Sequence, residues 1–477
     1  MGDTTALATV AYAAMIEQVA PEVPKLFEQT NRLSKLIGPG TPTKISDRFC
    51  RAPFMKYYGG TFQAFNADNG PVGTGSGLST GSFSVGYYYS NYAVTISRRA
   101  DDTTKDASQS RVQVFAEQQA AVMQEIAVYE DICLHGDGTG LLTNASSAVA
   151  AGPPDTLTFA ASGDTLGVNM LREGMACIVC ATGTGTIGSV PGGGVQDSQS
   201  VNVGGTVRAN GTNAGYPHII TAIDYDARKV TLDSTVTGLT TGDRLQIVGL
   251  LKTPAQTGKA GYPNTDFTAA TTDSFRHGIP YANQVDNTLY YGGVLRSSLP
   301  QINPVRYNLQ GAPMTANHVL ICRDRLTQRR DPTVLQGLMG LCHMSQRAQA
   351  MNIGISVSEW QRTASANEPL LDLMPKNIGY EDSFVVGGIV HYLSKRQPRD
   401  RIDYFNPKLW RRAELFAGPR PMAWGSQTIW PTFSSTAQIQ SGLQMFWEQA
   451  FDWYCMDPGA QMVMFNAGIP QGYTPGT

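Results

Sequence analysis

The sequence is poor in charged residues. They make up 16% of the 477 residues, against about a quarter in ordinary soluble proteins. The 36 basic and 38 acidic residues leave a formal charge of −2, so the chain as a whole has no electrostatic reason to bind nucleic acid or an anionic membrane. Gly and Pro are abundant, with 50 and 27 residues. Few charges and many turn formers indicate much surface buried against other subunits, although a β-rich monomer could show the same composition.

Three further absences narrow the class of protein. No apolar run approaches the length of a membrane span. The first basic residue is Lys25, so the start of the sequence lacks the charged region of a signal peptide, and we expect a protein made and kept in the cytosol. The seven cysteines are an odd number scattered over a long chain, which predicts free thiols rather than a disulfide framework.

Motifs that would carry catalysis, cofactor binding or metal binding are incomplete. "GTGTIG" at residues 183–188 follows an apolar strand, but the "SVPGGG" after it cannot open a phosphate-binding helix. "GLSTG" at 77–81 lacks the strand before and the helix after that a nucleophilic serine needs. Cys177 and Cys180 would point to opposite faces of a strand, and the six histidines form no zinc motif. We therefore expect no enzyme, no cofactor and no metal site.

Aromatic residues are concentrated in one region, residues 53–99. Two aromatic-rich arms flank a run of Gly, Ser and Asn that is suited to a tip, which predicts a long β-hairpin. The apolar residues of the second arm change parity, as one extra residue would produce, so a bulge is expected near Ser90 and Asn91. Before the hairpin, residues 6–37 have helical spacing interrupted by prolines, which predicts an N-terminal arm of two short helices.

A long helix is predicted over residues 106–134, because this stretch contains no Gly or Pro and has apolar residues at three- and four-residue steps. It runs into "GDGTG". A calcium loop would need several acidic ligands where only Asp137 is offered, and a phosphate loop would need G-K-[ST]. The remaining interpretation is a helix cap and turn formed by Gly136, Asp137 and Gly138, with Gly136 in the left-handed region.

After residue 154 the pattern of predicted elements changes twice. Short strands separated by turns ("DTLTF", "MACIVCA", "HIITAIDYD", "KVTLDS", "DRLQIVG") predict a small inserted β-barrel or sandwich at 155–252. Beyond it we expect an α+β region. Its predicted helices lie near 285–300, 324–350 and 407–413, and its predicted strands near 317–323, 384–393 and 443–455.

This order of elements resembles that of the major capsid proteins of tailed bacteriophages. The resemblance rests on an N-terminal arm, a long hairpin, a long helix closed by "GDGTGLL", a mixed α/β region, and "VVGGIVHYLSKRQPRDRIDYFNP" near 385–407, which is similar to the family's late strand and extended return. It implies an α+β fold of the Hong Kong 97 type. In that fold the hairpin is the extended loop that reaches over a neighbouring subunit, and the helix is the spine of the peripheral domain.

On that resemblance the chain would have an N-terminal arm (1–52), an extended loop (53–102), a spine helix and turn (103–154), the inserted β domain (155–252) and an axial and peripheral α+β core (253–477). The insert departs from the minimal fold. The resemblance places the subunit interface on the extended loop, and the residues expected there are Phe54, Lys56, Tyr57, Tyr58, Phe62, Phe65, Phe83, Tyr87, Tyr89 and Tyr92.

The function implied is that of a major capsid protein. Copies would assemble into hexamers and pentamers of an icosahedral head that encloses double-stranded DNA without reading its sequence. Further expected partners are a portal, a scaffold and a decoration protein, and the expected location is the virion, after assembly in the host cytoplasm. The alternative is a β-rich decoration or binding protein of the virion whose functional part is the 155–252 module. An enzyme built on one of the incomplete motifs is a third hypothesis.

Overall fold

The structure is a computed structural model of the chain. It describes residues 33–40, 43–44, 49–57, 77–97, 114–136, 142–143, 146–152, 154–159, 168–180, 209–210, 213–214, 218–225, 227–247, 276–285, 287, 290–347, 383–416, 418–422, 429–433 and 439–469. The two predicted helices of the N-terminal arm lie almost wholly outside these ranges. Only a 3₁₀ turn at Leu33–Leu36 is described there.

The chain divides into two compact units, each built from separate stretches of sequence. The first comprises Met1–Ser34, Tyr88–Asp131 and Glu414–Phe451, and the second comprises Lys35–Tyr87, Ile132–Ala413 and Asp452–Thr477. Each unit is therefore completed by residues that are distant in sequence.

Among the described residues before the long helix, strands predominate. They are β1 (Gly38–Pro39), β2 (Thr43–Lys44), β3 (Phe49–Tyr57), β4 (Ser79–Gly86) and β5 (Tyr88–Ser97). Helix α1 then runs from Val114 to His135. This confirms the predicted long helix from Val114 onwards, while residues 103–113 lie outside the described part. From Ile126 to His135 every side chain except that of Tyr129 is buried, so the end of α1 is an interior helix rather than a surface one.

The next nine strands form the insert. They are β6 (Ser146–Ala150), β7 (Thr156–Phe159), β8 (Ala176–Cys180), β9 (Ala209–Asn210), β10 (Asn213–Ala214), β11 (His218–Asp224), β12 (Lys229–Leu232), β13 (Val236–Thr237) and β14 (Arg244–Ile247). Each of the five segments predicted from the sequence contains a strand. Six of the strands form one sheet in the order β14-β8-β11-β12-β7-β6, and β10, β9 and β13 form a second.

The two ends of the six-stranded sheet are joined by backbone hydrogen bonds. The amide of Leu142 donates to the carbonyl of Leu245 at 2.9 Å, and the amide of Ser146 donates to the carbonyl of Asp243 at 2.9 Å. Apolar side chains from strands across the sheet are fully buried, among them Leu157, Val179, Ile220, Val230, Leu232 and Leu245. Five strands of this sheet thus bury apolar side chains, and the sheet begins at Ser146, ahead of the predicted boundary at residue 155.

These contacts predict that a fragment spanning residues 142–248 folds alone and gives dispersed amide NMR signals. The fragment 155–252 lacks β6 and the bonds from Leu142 and Ser146, so we expect it to be about 2–3 kcal/mol less stable, with a Tm lower by about 10 °C or more. Equal melting of the two fragments would show that β6 does not belong to the module, and an unfolded longer fragment would show that the insert depends on the rest of the chain.

The remaining helices and 3₁₀ turns are short. They are helix α2 (Ile279–Ala282), helix α3 (Ala316–Arg329) and the 3₁₀ turns Pro300–Ile302, Pro332–Leu335, Pro407–Leu409 and Pro458–Ala460. The strands are β15 (Tyr290–Tyr291), β16 (Val294–Leu295), β17 (Val305–Asn308), β18 (Met339–Cys342), β19 (Ser383–Val386), β20 (Ile389–Leu393), β21 (Ile402–Phe405), β22 (Trp410–Glu414), β23 (Arg420–Pro421), β24 (Ile429–Phe433), β25 (Ile439–Cys455) and β26 (Met462–Phe465). The coexistence of these helices with mixed sheets agrees with the α+β class expected from the sequence.

The core of the second unit lies between α3 and a mixed six-stranded sheet of order β17-β26-β21-β18-β20-β19. Helix α3 contributes Val319, Cys322 and Leu326, spaced by three and four residues as one face of a helix requires. Its first turn is closed by a capping box, in which Thr315 accepts from the amide of His318 and the His318 side chain accepts from the amide of Thr315. Gly387 and Gly388 have positive φ, which permits the two-residue turn between β19 and β20.

Several predicted elements in this region are wrong. The strand predicted at 317–323 is the first half of α3, and the helix predicted at 324–350 ends at Arg329 and is followed by β18. The described residues of the helix predicted at 285–300 form the short strands β15 and β16 with turns around them, and the helix predicted at 407–413 is a 3₁₀ turn followed by the start of β22. The strands predicted at 384–393 and 443–455 are confirmed as β19, β20 and β25.

The first unit is organised around β25. Strand β5 pairs antiparallel with it along one edge, from Tyr88 opposite Phe451 to Ser97 opposite Gly442. Strands β23 and β24 pair with its other edge. The register between β5 and β25 is continuous, so the bulge predicted near Ser90 and Asn91 is wrong. The parity change instead reflects Tyr87, which separates β4 from β5.

Candidate subunit interface

The hairpin is formed by β3 and β4, which pair antiparallel from Phe49 opposite Gly86 to Tyr57 opposite Ser79. It is shorter than predicted, because β5 pairs with β25 rather than with the first arm. One end of the hairpin is interior, where Cys50 and Val85 are buried. At the other end large apolar side chains are open to solvent: Met55 is 63% exposed and Leu78 is 56% exposed.

The buried end of the hairpin is anchored through Phe83. The Phe83 ring stacks on Phe54 with 4.2 Å between centroids and meets Tyr291 edge to face at 5.0 Å. Strand β4 also donates a hydrogen bond from the amide of Ser84 to the carbonyl of Gly292 at 2.8 Å. Gly292 has φ +54, and a Cβ there would lie 2.7 Å from the Cβ of Phe83. A glycine is thus required on both conformational and spatial grounds where the hairpin is held.

The anchoring turn is itself fixed by a buried polar network. The Tyr291 hydroxyl accepts from the amide of Cys455 at 2.7 Å and donates to its carbonyl at 2.9 Å. Arg296 is fully buried and donates to the carbonyl of Tyr281 at 2.6 Å. Burial lowers the pKa of Arg296 to about 10, which leaves the guanidinium charged at neutral pH. The network thus holds the hairpin in one orientation relative to the body of its unit.

A histidine and an aspartate close this network. His277 Nδ1 lies 2.5 Å from an Asp452 carboxylate oxygen, and the His277 amide donates to the other oxygen at 2.8 Å. The His277 ring stacks on Tyr281 at 4.0 Å. Burial raises the pKa of Asp452, and its interactions with His277 oppose that shift. Both side chains are buried. The pair therefore stabilises the packing of this region and is not open to a substrate.

The residues expected at the interface fall into three groups. Phe83 and Tyr87 are buried within their own chain, so they support the hairpin and are not available to a neighbour. Phe54 is half-buried, while Lys56 and Tyr89 are exposed. Tyr92 is half-buried, packs edge to face on Tyr129 and has a hydroxyl that accepts from Gln449. The Tyr57 side chain and Tyr58, Phe62 and Phe65 lie outside the described residues.

Met55 and Leu78 are exposed apolar residues that the sequence interpretation missed. Met55 follows Phe54 in strand β3 and therefore lies on the opposite face of the hairpin. Strict alternation along β3 could have identified it. No pattern in the glycine-rich segment before β4 distinguishes Leu78.

The end of helix α1 differs from the predicted cap. The amide of Gly136 donates to the carbonyl of Cys133 at 3.0 Å, but Gly136 is not in the left-handed region, so that part of the prediction is wrong. Asp137 and Gly138 lie outside the described residues. The glycine that the helix end requires is Gly278, because a Cβ there would lie 2.5 Å from the carbonyl oxygen of Leu134 and still closer to those of Cys133 and Gly136.

A groove of about 600 Å³ runs beside the exposed end of the hairpin. Its lining is Phe54, Met55, Lys56 and Phe83 of the hairpin, Leu299, Gln301 and Ile302, Gln328, Arg329, Arg330 and Asp331 at the end of α3, and Met456, Asp457 and Pro458. Arg330 ties two walls together, donating to both carboxylate oxygens of Asp457 at 2.8 and 3.0 Å and to the carbonyl of Gln301 at 2.7 Å.

In the part of the chain that the structure describes, no three metal-binding side chains cluster. Six described cysteines are buried and form no disulfide, as the sequence predicts. Burial raises the pKa of the Cys50 thiol to about 11, so it is not a nucleophile at neutral pH. "GLSTG" leads directly into β4, and "GTGTIG" lies outside the described residues. Among the described helices none has the length and apolar character to cross a bilayer.

Two capsid structures and an encapsulin complex are among the solved structures that align with nearly the whole chain. A cyanophage A-1(L) capsid asymmetric unit aligns over 94% of this chain and 95% of its own, with 7% identity and a TM-score of 0.45. The capsid of the empty GTA particle aligns over 97% and 99%, with 7% identity and a TM-score of 0.42. The holo-SrpI encapsulin complex from Synechococcus elongatus PCC 7942 aligns over 96% and 95%, with 8% identity and a TM-score of 0.40.

No protein-family model matches the chain, and no curated protein matches it.

Proposed function

We propose that this chain is a major capsid protein of the Hong Kong 97 type, whose copies assemble into hexamers and pentamers of a closed shell around double-stranded DNA. The observation that carries the proposal is the hairpin β3–β4. It is rigidly anchored at one end, through Phe83 and Tyr291, and exposes Met55 and Leu78 at the other. An element built in this way presents apolar surface that a monomer has no reason to expose.

The order of elements supports the same function. The hairpin is followed by the long helix α1, whose last ten residues are almost wholly buried, and then by an α+β core. In the capsid fold that the sequence resembles, these are the extended loop, the spine helix and the axial and peripheral domains. The insert would be a small barrel added to this fold. The ends of its sheet are joined by the hydrogen bond between Leu142 and Leu245, as the closing of a barrel requires.

The interactions would be distributed over many weak contacts rather than concentrated in one site. Burial of apolar area contributes about 25 cal/mol per Å², so a few hundred Å² of hairpin overlap per copy would contribute several kcal/mol. A shell repeats that contribution at each contact. In this proposal the partners are other copies of the chain first, with a portal, a scaffold and a decoration protein as further partners in the virion.

Replacing residues 58–76 by a short Gly/Ser turn is expected to abolish closed shells and to leave the thermal melt of the subunit within about 3 °C of the unmodified chain. The reason is that β3, β4 and the contacts of Phe83 with Phe54 and Tyr291 remain, so the packing that holds the hairpin in its own unit is kept. Electron microscopy of the purified protein, beside the melt, measures both outcomes.

The control is the unmodified chain, which should form closed shells or hexamers and pentamers. Normal shells from the shortened protein would refute the interface role of the hairpin. A chain that stays monomeric with and without the replacement would refute the shell function, and would favour a binding protein that acts through its insert.

A further inference from the structure

The six-stranded sheet of the insert has a short junction between β8 and β11. Among the described residues these strands pair only through His218 opposite Cys177 and Ile219 opposite Ala176. By contrast, β8 pairs with β14 over four residues, and β11 pairs with β12 over four. We call the β8–β11 junction the seam. Because few backbone hydrogen bonds hold it, the seam is where this sheet opens at the lowest cost in free energy.

A histidine is buried at the seam. His218 and Cys177 are directly opposite each other and neither is exposed to solvent, so their side chains lie on the same face of the sheet. Val179 and Ile220, two residues further along each strand, are buried on that face as well. His218 therefore lies among apolar side chains in the interior of the insert.

The hydrogen bonds of His218 determine which ring nitrogen carries the proton. Its Nδ1 lies 2.9 Å from the Ser234 hydroxyl, and that hydroxyl donates to a carboxylate oxygen of Asp233 at 2.8 Å. A hydroxyl group has one hydrogen, so Ser234 must accept from His218. This assigns the proton of the neutral ring to Nδ1. In the described part of the chain Nε2 makes no hydrogen bond.

The groups that face His218 have opposing effects on its charge. Burial disfavours the imidazolium and lowers the pKa of His218, while the carboxylates of Asp233 and Asp155 oppose that shift. Each of these carboxylates also accepts a hydrogen bond from a backbone amide. Cys177 is the titratable group that faces His218 from β8. His218 is also the only histidine between residues 142 and 248, so it is the group of the insert suited to titrate near pH 6.

We propose that the seam is closed at neutral pH and opens in mild acid, with His218 as the group that controls it. Protonation places a second N–H at Nε2, for which the described residues offer no acceptor. A buried donor without an acceptor is costly, and in the open state water satisfies it. The open state therefore binds the proton more tightly than the closed state does.

The direction of the pH dependence follows from this difference. Closing of the seam is fully favourable above the ordinary histidine pKa of about 6.5, and it is progressively lost as the pH falls towards the lower pKa of the closed state. Opening exposes the inner side chains of β8 and β11. Because the seam lies within the insert, the same behaviour is expected of a capsid subunit and of a binding protein that acts through its insert.

The test is amide hydrogen exchange of the full-length chain, measured by mass spectrometry at about pH 7.5, 6 and 5 and corrected for the chemical exchange rate at each pH. The amide of Ile220 donates across the seam to the carbonyl of Met175. We expect its corrected rate to rise about fivefold to tenfold from pH 6 to pH 5, since one proton changes the open fraction by up to about tenfold per pH unit. The amides of β12, which pairs with β7, should show no such rise.

Two variants identify the group responsible. In H218N the side-chain amide replaces Nδ1–H as the donor to Ser234 and cannot take up a proton, so the acid-induced rise at Ile220 should disappear. I219V is the matched control. Ile219 is adjacent to His218 on the same strand pair and is 45% exposed, so this variant changes only the outer face and should keep the rise.

No acid-induced rise at Ile220 in the unmodified chain, or an equal rise in H218N, would overturn the proposal. An equal rise in β12 would overturn it too, because the insert would then unfold as a whole. If H218N does not fold, deuterium exchange at the Cε1–H of the His218 ring in the unmodified chain decides the matter. A titration midpoint below that of the urea-unfolded chain supports the proposal, and an equal or higher midpoint refutes it.

Discussion

Replacing Gly278 by alanine is expected to lower the free energy of unfolding of the subunit by about 3 kcal/mol or more, whereas the same replacement at Gly136 is expected to cost less than about 1 kcal/mol. At Gly278 the added methyl group would contact three carbonyl oxygens at the end of helix α1. Backbone atoms cannot rotate away as a side chain does, so the helix end and the start of α2 would have to separate. Gly136 has an ordinary φ, and its nearest contact would be 3.3 Å.

Urea unfolding of the unassembled subunit measures both variants. The comparison also tests which glycine the helix end requires, since the sequence motif singles out Gly136 and the contacts single out Gly278. A larger loss at Gly136 than at Gly278 would contradict the packing described here.

Replacing Arg401 by methionine is expected to destabilise the second unit by about 3–5 kcal/mol. Arg401 and Asp403 are both almost completely buried, with the guanidinium Nε 2.9 Å from a carboxylate oxygen. Gln397 and Asn283 donate to the same carboxylate at 2.7 and 3.1 Å. Removing the arginine leaves the Asp403 charge in the interior with only neutral donors, which do not compensate for its lost hydration.

The control is the ion pair between Arg420 and Glu448, in which the arginine side chain is 53% exposed. Because solvent screens that pair, R420M should change the unfolding free energy by less than about 1 kcal/mol. The double replacement of Arg401 by methionine and Asp403 by leucine should recover most of the loss, since no buried charge then remains. Equal effects of R401M and R420M would show that the Arg401 site is more hydrated than the structure indicates.

The parts of the fold that were predictable from sequence are those in which local pattern and tertiary setting agree. Each predicted strand of the insert is a short apolar run bounded by turn residues, and each contains a strand. Helix α1 was predictable because it is long and free of breakers. Such segments need no information about partners distant in sequence.

The failures have the opposite cause. "HVLICRD" at 318–324 is a short apolar run that fits a strand or a buried helix equally well. The tertiary structure makes it helical, because Val319, Cys322 and Leu326 fill one face against the sheet and Thr315 caps the start. Thr315 and His318 are a capping signal in the sequence, but the apolar run that follows Thr315 is equally compatible with a strand.

The hairpin was predictable as a region, but the burial of its individual residues was not. Aromatic enrichment correctly indicated the hairpin, but Phe83 and Tyr87 are buried within the chain and Met55 and Leu78 are exposed. Which aromatic residue supports a hairpin and which is left open depends on Tyr291 and Gly292, which lie far along the sequence from β4. No local pattern contains that information.

The hydrogen bonds of Leu142 and Ser146 to Leu245 and Asp243 bring the entry and exit of the insert side by side. Because its two ends lie close together, the module connects the flanking parts of the chain as a short turn would. A foreign domain whose termini lie equally close could be spliced in at these positions, or the module could be deleted, without rerouting the remaining backbone. The junction therefore makes the module exchangeable by recombination, while the contacts of the hairpin and of the α+β core stay as they are.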